Sequence, residues 1–412
     1  MYSFDLQKLK SLGVARLHGV GPNVFFLGLT SMLTDISSEM VASILPMYFL
    51  FAVGLSPFQF GIVDGLSQAG AALARLFSGW VADRSQRMRE VAAAGYALSA
   101  SCRLLLPASG ANVGMIMGVT ALDRVGKGIR STPRDALISL SSSPDRLGVA
   151  FGLHRAMDTV GALLGPAIAL LVLGVLPGAF DLVFVLSFCF ALLGLATLLS
   201  FVRSAPDHHA VAARSGADRS PARHLAATHH FRMIVIAGSA LALLTVGEAF
   251  AFLALQKKMA LDVASFPALL LVTAACYLVL ALPAGRLSDR IGRGRVFWLG
   301  HVLALLAVAN ILLFAERPHL GWLSLVLMGA YFACTDGVLM AMVGALVPLG
   351  MQAKGMAVAA TAVAMSRLAS SLLFGALWEW QGFDAALRAY ALGLAVVLAL
   401  TAAPLSRLRT ST

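Results

Sequence analysis

The chain has 412 residues, of which 59% are hydrophobic and 12% are charged, and its mean hydropathy is +0.84. These values exclude an ordinary soluble globular domain. A helix needs roughly 20 apolar residues to cross the hydrocarbon of a bilayer, so the length leaves room for about twelve spans with short loops. We therefore predict an all-α membrane protein of transporter size, with the lipid bilayer as its main surroundings.

The formal net charge of +11 does not indicate a nucleic-acid partner, because the basic residues recur in short clusters between apolar runs instead of forming one patch. The four cysteines lie within apolar runs and lack the spacing of metal ligands: Cys102, Cys189, Cys276 and Cys334. We predict that they pack inside the membrane, and we expect neither a metal nor a cofactor.

Apolar runs between charged or Pro/Gly-rich breaks predict two sets of six spans. The first set lies at 22–50, 57–82, 91–108, 111–130, 147–175 and 179–202. The second set lies at 233–256, 265–287, 296–315, 320–347, 355–378 and 384–405. The predicted fold is therefore twelve transmembrane helices in two six-helix bundles, residues 1–202 and 233–412.

The stretch 203–232 between the two sets is the one long polar segment of the chain, and it has too few large apolar residues to bury a core. We predict a flexible linker. Its histidine pairs, His208–His209 and His229–His230, are interpreted as solvated side chains and not as metal ligands.

Lysine and arginine are concentrated in alternate loops, as expected for the cytoplasmic side of a membrane protein. The rich loops hold Arg84, Arg87 and Arg89, then Arg134 and Arg146, the linker arginines, Arg290, Arg293 and Arg295, Lys354, and finally Arg407 and Arg409. The opposite loops hold only Lys257, Lys258 and Arg317. We predict a multi-pass protein of the inner (plasma) membrane with both termini and the linker in the cytoplasm.

Two segments repeat one chemical pattern at an offset of 206 residues, GWVADRSQR at 79–87 and GRLSDRIGR at 285–293. Each follows the second span of its set, as expected for tandem six-helix repeats. This pattern resembles the loop signature of the major facilitator superfamily, and the resemblance covers essentially the whole chain. Gln86 stands where that signature has its second glycine.

The resemblance implies alternating access and a gating role for this loop. In the superfamily, its acidic and basic residues hold the two halves together on the cytoplasmic side. The implied gating residues are Gly79, Asp83, Arg84 and Arg87 in the first copy, with Asp289 and Arg290 in the second.

The fifth span contains Gly161, Gly165 and Pro166 and resembles the antiporter signature of the superfamily, which is associated with exporters. Small residues at every fourth position let helix backbones approach closely, and a proline inside a helix permits a bend. The last two glycines of that signature are replaced by Ala169 and Leu170.

Charged residues inside predicted spans need a functional or structural reason, because each costs roughly 2.5 to 3.5 kcal/mol at the bilayer centre on insertion scales. Asp35 and Glu39 share one face of the first span, and two carboxylates one turn apart are candidate proton carriers. The segment from Arg124 to Gly128 resembles an element of proton-coupled antiporters, with Lys127 where that element prefers glutamine.

The resemblance also implies which side chains face a central cavity, because the first, fourth, seventh and tenth helices line it in the superfamily. The implied residues are Asp35, Glu39, Arg124, Glu248 and Asp336. The fifth span adds His154, Arg155 and Asp158 as candidates. We interpret four other charges as structural pairs or snorkelling side chains: Asp64, Arg75, Arg103 and Arg367.

The leading interpretation is a secondary active exporter that works as a monomer and exchanges protons for a small organic solute. The alternative is a transporter of a small organic anion, such as a carboxylate or a metal-chelating metabolite, because Arg124, Lys127, Arg130 and Arg155 supply cations. The sequence lacks nucleotide-binding motifs and the catalytic motifs HExxH and GxSxG. We therefore predict a transporter and not an enzyme.

Overall fold

The computed structural model describes residues 21–67, 70, 74, 87–110, 112–142, 147–203, 229–313, 318–346 and 352–406. The helices of the first half are α1 (Pro22–Met47, extended by a π-helical turn Tyr48–Ala52), α2 (described over 57–67), α3 (Met88–Ala108), α4 (Val113–Leu140), α5 (Leu147–Val175) and α6 (Phe180–Phe201). We call this set the N-terminal half.

The second half contains α7a (His229–Leu244), α7b (Glu248–Lys258), α8 (Pro267–Ile291), α9 (Arg293–Leu313), α10 (Gly321–Leu346), α11 (Gln352–Gln381) and α12 (Phe383–Ser406). We call this set the C-terminal half. Short 3₁₀ turns precede α8 (Val263–Ser265) and α10 (Pro318–Leu320). Between the halves, 204–228 of the predicted linker lies outside the described residues.

Ten helical segments within the described residues are long and apolar enough to cross a membrane. Two of the predicted spans are not among these ten, each for a different reason. Most of 57–82 beyond residue 67 lies outside the described residues. Helix α4 has 28 residues, enough for about 42 Å of rise, but it carries Asp123, Arg124, Lys127 and Arg130. The total of twelve spans stays a prediction.

The seventh predicted span, 233–256, is not one continuous helix. It is interrupted at 245–247 between α7a and α7b. Gly247 is the N-cap of α7b, and the hydroxyl of Ser370 on α11 donates a hydrogen bond of 3.0 Å to the carbonyl of Thr245. A side chain of the neighbouring helix therefore satisfies a backbone acceptor at the break.

The second copy of the repeated pattern, predicted as a loop, is largely helical. Helix α8 continues to Ile291, Gly292 alone turns the chain with a φ of 100°, and α9 starts at Arg293. Glycine tolerates this left-handed conformation because it has no Cβ. The loop thus reduces to a single residue, and the predicted gating residues Asp289 and Arg290 lie in the last turn of α8.

Helix packing in the first half recurs in the second. Helix α1 contacts α5 and α6 as α7a contacts α11 and α12, and α3 contacts α4 and α6 as α9 contacts α10 and α12. Between the halves, α5 packs against α8. The division of the chain into two bundles at residues 202 and 233 stays a prediction.

The buried apolar side chains of the described residues form three clusters. We call the side of the molecule at which α1 begins the terminal side, and the other side the opposite side. On the terminal side each half has its own cluster, around Tyr96 in the N-terminal half and around Phe297 in the C-terminal half. On the opposite side one cluster contains residues of both halves, including Phe60, Phe250 and Phe374. In the described part of the chain, the halves therefore share a core on the opposite side only.

The predicted motif of Gly161, Gly165 and Pro166 lies where α5 packs against α1. A Cβ placed on Gly165 would lie 2.8 Å from the Cβ of Glu39, and one on Gly161 would lie 2.6 Å from the carbonyl oxygen of Met32. Helix α5 is continuous through Pro166. Both glycines are therefore required for the close approach of α5 to the face of α1 that carries the two predicted carboxylates.

We predict that Gly165→Ala lowers the stability of the protein by about 1–3 kcal/mol, because the added methyl group overpacks the contact with Glu39 and the α1 backbone. Gly174→Ala on the same helix is the matched control, since nothing lies within 4 Å of a Cβ built there. Thermal unfolding in detergent measures both variants. Equal melting temperatures would show that the close approach of α5 is dispensable.

Candidate functional site: a charged cavity between the two halves

A cavity of about 410 Å³ lies between the halves. The residues that line it come from α1, α2, α4 and α5 of the N-terminal half and from α7b, α8, α10 and α11 of the C-terminal half. A smaller cavity of about 90 Å³ adjoins it in the C-terminal half, and Asp64, Glu248 and Arg367 line both. The volume of the larger cavity is in the range of small-molecule sites.

Six charged side chains line the larger cavity, three from each half. The N-terminal half contributes Glu39, Asp64 and Arg124, and the C-terminal half contributes Glu248, Asp336 and Arg367. Four of the six are carboxylates. Both halves therefore place acidic side chains in the cavity and away from lipid, where an exposed charge would be costly.

Arg124 is held by a buried ion-pair network behind the cavity wall. Its guanidinium lies 3.1 Å from one carboxylate oxygen of Asp123, and the other oxygen of Asp123 lies 3.1 Å from Arg103 on α3. Arg103 also donates a hydrogen bond of 3.2 Å to the hydroxyl of Ser38 on α1. The sequence-based interpretation of Arg103 as a structural pair agrees with this geometry, and Asp123 orients Arg124 from outside the cavity.

Arg367 and Asp336 form an ion pair inside the cavity, with 3.5 Å between nitrogen and oxygen, and 36% and 48% of their side chains respectively are exposed. Asp64 on α2 accepts a hydrogen bond from the hydroxyl of Ser371 on α11. This second contact joins the two halves beside the break in helix α7. Charged and polar groups of α2, α10 and α11 thus meet at one side of the cavity.

The other predicted coupling residues lie outside the set that lines the cavity. Asp35 is one turn from Glu39, with its carboxylate 4.0 Å from Arg130. Asp158 lies 3.3 Å from the imidazole of His154, one turn away on α5. Lys127 is half-buried and Arg155 is exposed. The structure therefore separates the eight predicted residues into a cavity group of Glu39, Arg124, Glu248 and Asp336 and a second group of Asp35, Lys127, Arg155 and Asp158.

The predicted gating loop is only partly within the described residues. Gly79, Asp83 and Arg84 lie outside them, as does Arg75. Arg87 is exposed at the start of α3, Arg290 is exposed near the end of α8, and nothing is described of the Asp289 side chain. The gating role implied for this loop stays a prediction.

Aromatic side chains of both halves close the cavity toward the opposite side. The ring of Phe250 on α7b lies 5.1 Å from Phe60 on α2, 4.7 Å from Phe374 and 5.9 Å from Trp378 on α11. Phe60, Phe250 and Phe374 are at most 2% exposed. Edge-to-face and tilted aromatic packing at these distances is favourable beyond simple burial, so the rings form a stable closure.

Helices α2 and α11 touch backbone to backbone next to this closure. A Cβ on Gly61 would lie 2.6 Å from the carbonyl oxygen of Ser371, and one on Gly375 would lie 2.7 Å from that of Pro57. The carboxylate of Glu379 accepts hydrogen bonds from the Ser56 hydroxyl (2.7 Å) and the Phe58 amide (3.0 Å) at the start of α2. Glu379 therefore caps a helix of the other half.

Asp64 and Arg367 are functional candidates that sequence reasoning assigned to structural roles. For Asp64, the spacing of small residues in the sequence indicates that its helix face packs against another helix. Gly61 and Gly65 mark the face of α2 that packs on α11, and Asp64 lies between them on the same face. A charge on a helix face that meets the other half of the molecule borders the cavity between the halves.

The sequence model of the Major Facilitator Superfamily matches residues 27–276 and 249–411. The chain belongs to the major facilitator superfamily. An uncharacterized MFS-type transporter of Methanocaldococcus jannaschii is 31% identical over 368 residues, which cover 87% of this chain and 88% of that protein. An uncharacterized protein of Mycobacterium tuberculosis is 35% identical over 144 residues, 35% of this chain and 34% of that one.

Solved structures of the superfamily share the fold. A nucleoside transporter superposes with a TM-score of 0.77 at 16% identity and covers 92% of this chain and 99% of its own. A peptide transporter in complex with sulfate gives a TM-score of 0.73 at 18% identity and covers 99% and 100%. At identities this low, the structural similarity shows a shared fold, and the ligands of those proteins are not assigned to this chain.

The chain is therefore a multi-pass membrane protein of a transporter family, and its fold and neighbours support secondary transport by alternating access. The cavity between the halves is where a major facilitator protein of this geometry can hold a solute. In the described residues it is closed on the opposite side by the aromatic cluster and the α2–α11 contact.

We predict that Glu379→Gln weakens the closure on the opposite side, because a neutral amide is a poorer acceptor for the Ser56 hydroxyl and the Phe58 amide than a carboxylate. Spin labels at the exposed positions Leu176 and Gln381, one in each half, should report a larger population of long distances.

Asp384→Asn is the matched control for Glu379→Gln. It removes an acid on the same side of the molecule whose partner, Lys258 at 3.2 Å, belongs to the same half. If the two variants give the same distance distribution, the cap from Glu379 does not hold the halves together.

Proposed function

We propose that this chain exports a small organic solute in exchange for protons by alternating access, as a monomer in the inner membrane with both termini in the cytoplasm. The observation that carries the proposal is the placement of carboxylates from both halves in one cavity, Glu39 and Asp64 facing Glu248 and Asp336. With cytoplasmic termini, the described arrangement is the state closed toward the outside.

Protons are the proposed counter-substrate because the cavity has more acids than it has bases to neutralise them. Ionised carboxylates of the two halves repel each other across the cavity, and protonation removes that repulsion. A solute that occupies the same carboxylates competes with protons. Such competition couples solute export to proton entry without any further site.

Glu39 and Arg124 are proposed to form the core of a switch whose charge changes when protons or solute bind, since both line the cavity. Glu248 and Asp336 are its partners in the C-terminal half. Asp35, Lys127, Arg155 and Asp158 are proposed to act in proton passage toward the terminal side. Support for this role comes from the Asp35–Arg130 and His154–Asp158 contacts on the faces of α1 and α5 adjacent to the switch.

The proposed direction is export, by resemblance to the antiporter signature in α5. Support comes from the packing of Gly161 and Gly165 beneath Asp35 and Glu39, because a charge change on α1 is then transmitted directly to α5. We propose that Asp83, Arg84 and Arg87, with Asp289 and Arg290, latch the terminal side when the cavity opens outward.

The organic-anion alternative has less support. It rested on Arg124, Lys127, Arg130 and Arg155, and of these only Arg124 lines the cavity. Arg124 is also paired with Asp123.

The test is transport in proteoliposomes with an imposed pH gradient, with a panel of cationic, neutral and anionic solutes so that the result does not depend on the substrate class. We expect the wild type to accumulate at least one solute only when the gradient is present. Glu39→Gln and Glu248→Gln should each abolish gradient-driven accumulation and retain downhill exchange, because the cavity persists and its proton sites are lost.

Asp384→Asn controls for the loss of an acid outside the cavity and should transport normally. Accumulation that is independent of the gradient in the wild type, or gradient-driven accumulation that survives both glutamine substitutions, would contradict proton coupling at these carboxylates.

A further inference from the structure

The charges that line the cavity are unbalanced toward the acidic side. Glu39, Asp64, Glu248 and Asp336 face two cations, Arg124 and Arg367. The imbalance sits between two packed halves, where charges interact more strongly than in bulk water. The side chains that line the cavity therefore carry a net negative charge, with Lys127 and Arg130 outside that set.

Both arginines are held in ion pairs, and counting them in full still leaves two more acids than bases in the lining. Arg124 shares the buried carboxylate of Asp123 with Arg103 behind the cavity wall. Arg367 is engaged by Asp336 inside the cavity. Once these pairs are formed, the acids that remain for a ligand are Glu39 and Glu248. Asp64 is engaged by the hydroxyl of Ser371.

Glu39 and Glu248 stand on corresponding helices of the two halves. Helix α1 packs on α5 and α6 as α7a packs on α11 and α12, and α7b continues the same span. Glu39 and Glu248 line the same cavity, so each half presents a carboxylate to one common space. A positive charge placed between them is attracted by both halves at once.

The remaining wall is apolar and aromatic. Phe49, Phe60, Phe252, Tyr277 and Phe332 line the cavity. Aromatic faces attract organic cations through their quadrupole, and such contacts strengthen when water is excluded. The combination of paired acids and ring faces selects a charged centre that carries apolar substituents.

We infer that the substrate is a small organic cation with an apolar or aromatic body, bound between Glu39 and Glu248. The inference rests on the proposed function and specifies the substrate class of that same cavity. The bound cation cancels the repulsion between the two halves, as protons do on the return step, and so permits them to close over it. Cation and proton thus occupy the same pair of carboxylates in alternate states.

The test uses two probes of nearly the same size and shape and of opposite charge, tetraphenylphosphonium and tetraphenylborate. Saturable binding to the purified full chain is measured in detergent by equilibrium dialysis, with a pH indicator in a weakly buffered sample to record proton release. We expect saturable binding of the cation and proton release upon its addition. Glu39→Gln and Glu248→Gln should each weaken cation binding about tenfold to a hundredfold, as expected for the loss of a charge-assisted contact.

Asp384→Asn should bind the cation like the wild type, and the elution profile of each variant by size exclusion controls for folding. Saturable binding of the borate anion without binding of the phosphonium cation overturns the inference, as does an absence of saturable cation binding or cation affinity that is unchanged in both glutamine variants. Anion binding accompanied by proton uptake or release would leave proton coupling intact and remove the cation class. Cation binding without proton release would support the cation class and contradict proton exchange.

Discussion

The repulsion between carboxylates of two opposed halves is the constraint on which the rest of this structure depends. Four acids share one cavity inside a membrane protein, and two of them, Glu39 and Glu248, stand on corresponding helices. Uncompensated charge in this setting is costly, and we propose that a proton or a cation in the cavity lets the halves approach. Transport then follows from electrostatics, because occupancy of the cavity decides which arrangement of the halves is stable.

This constraint acts on two halves that share a core at one end of the molecule in the described residues. The described residues share a core on the opposite side, where the rings of Phe60, Phe250 and Phe374 pack together and the glycines of α2 and α11 let two backbones touch. The terminal side has a separate core in each half. In the proposed mechanism, a change of charge in the cavity decides whether this contact between the halves on the opposite side stays closed or opens.

The sequence predicted the fold family, the approximate spans and part of the cavity because hydropathy, charge distribution and a repeated motif each carry that information locally. The resemblance implied that Asp35, Glu39, Arg124, Glu248 and Asp336 face the cavity, and all of these except Asp35 line it. The roles of Asp64 and Arg367 were missed because the contact of α2 with α11 joins residues more than 300 positions apart. At the break in α7, the hydroxyl of Ser370 from another helix satisfies a backbone carbonyl. The hydrophobic periodicity of α7 itself does not predict this contact. The division between Glu39 in the cavity and Asp35 beside Arg130 likewise depends on which neighbour each side chain meets.

The proposed mechanism requires that neutralising the cavity carboxylates opens the opposite side of the molecule and closes its terminal side. It is tested most directly by electron paramagnetic resonance distances in lipid nanodiscs between two label pairs, Glu90 with Arg295 on the terminal side and Leu176 with Gln381 on the opposite side, all at exposed positions. The account predicts that combining Glu39→Gln with Glu248→Gln shortens the first distance and lengthens the second. Two distances that stay unchanged, or that change in the same direction, would contradict it.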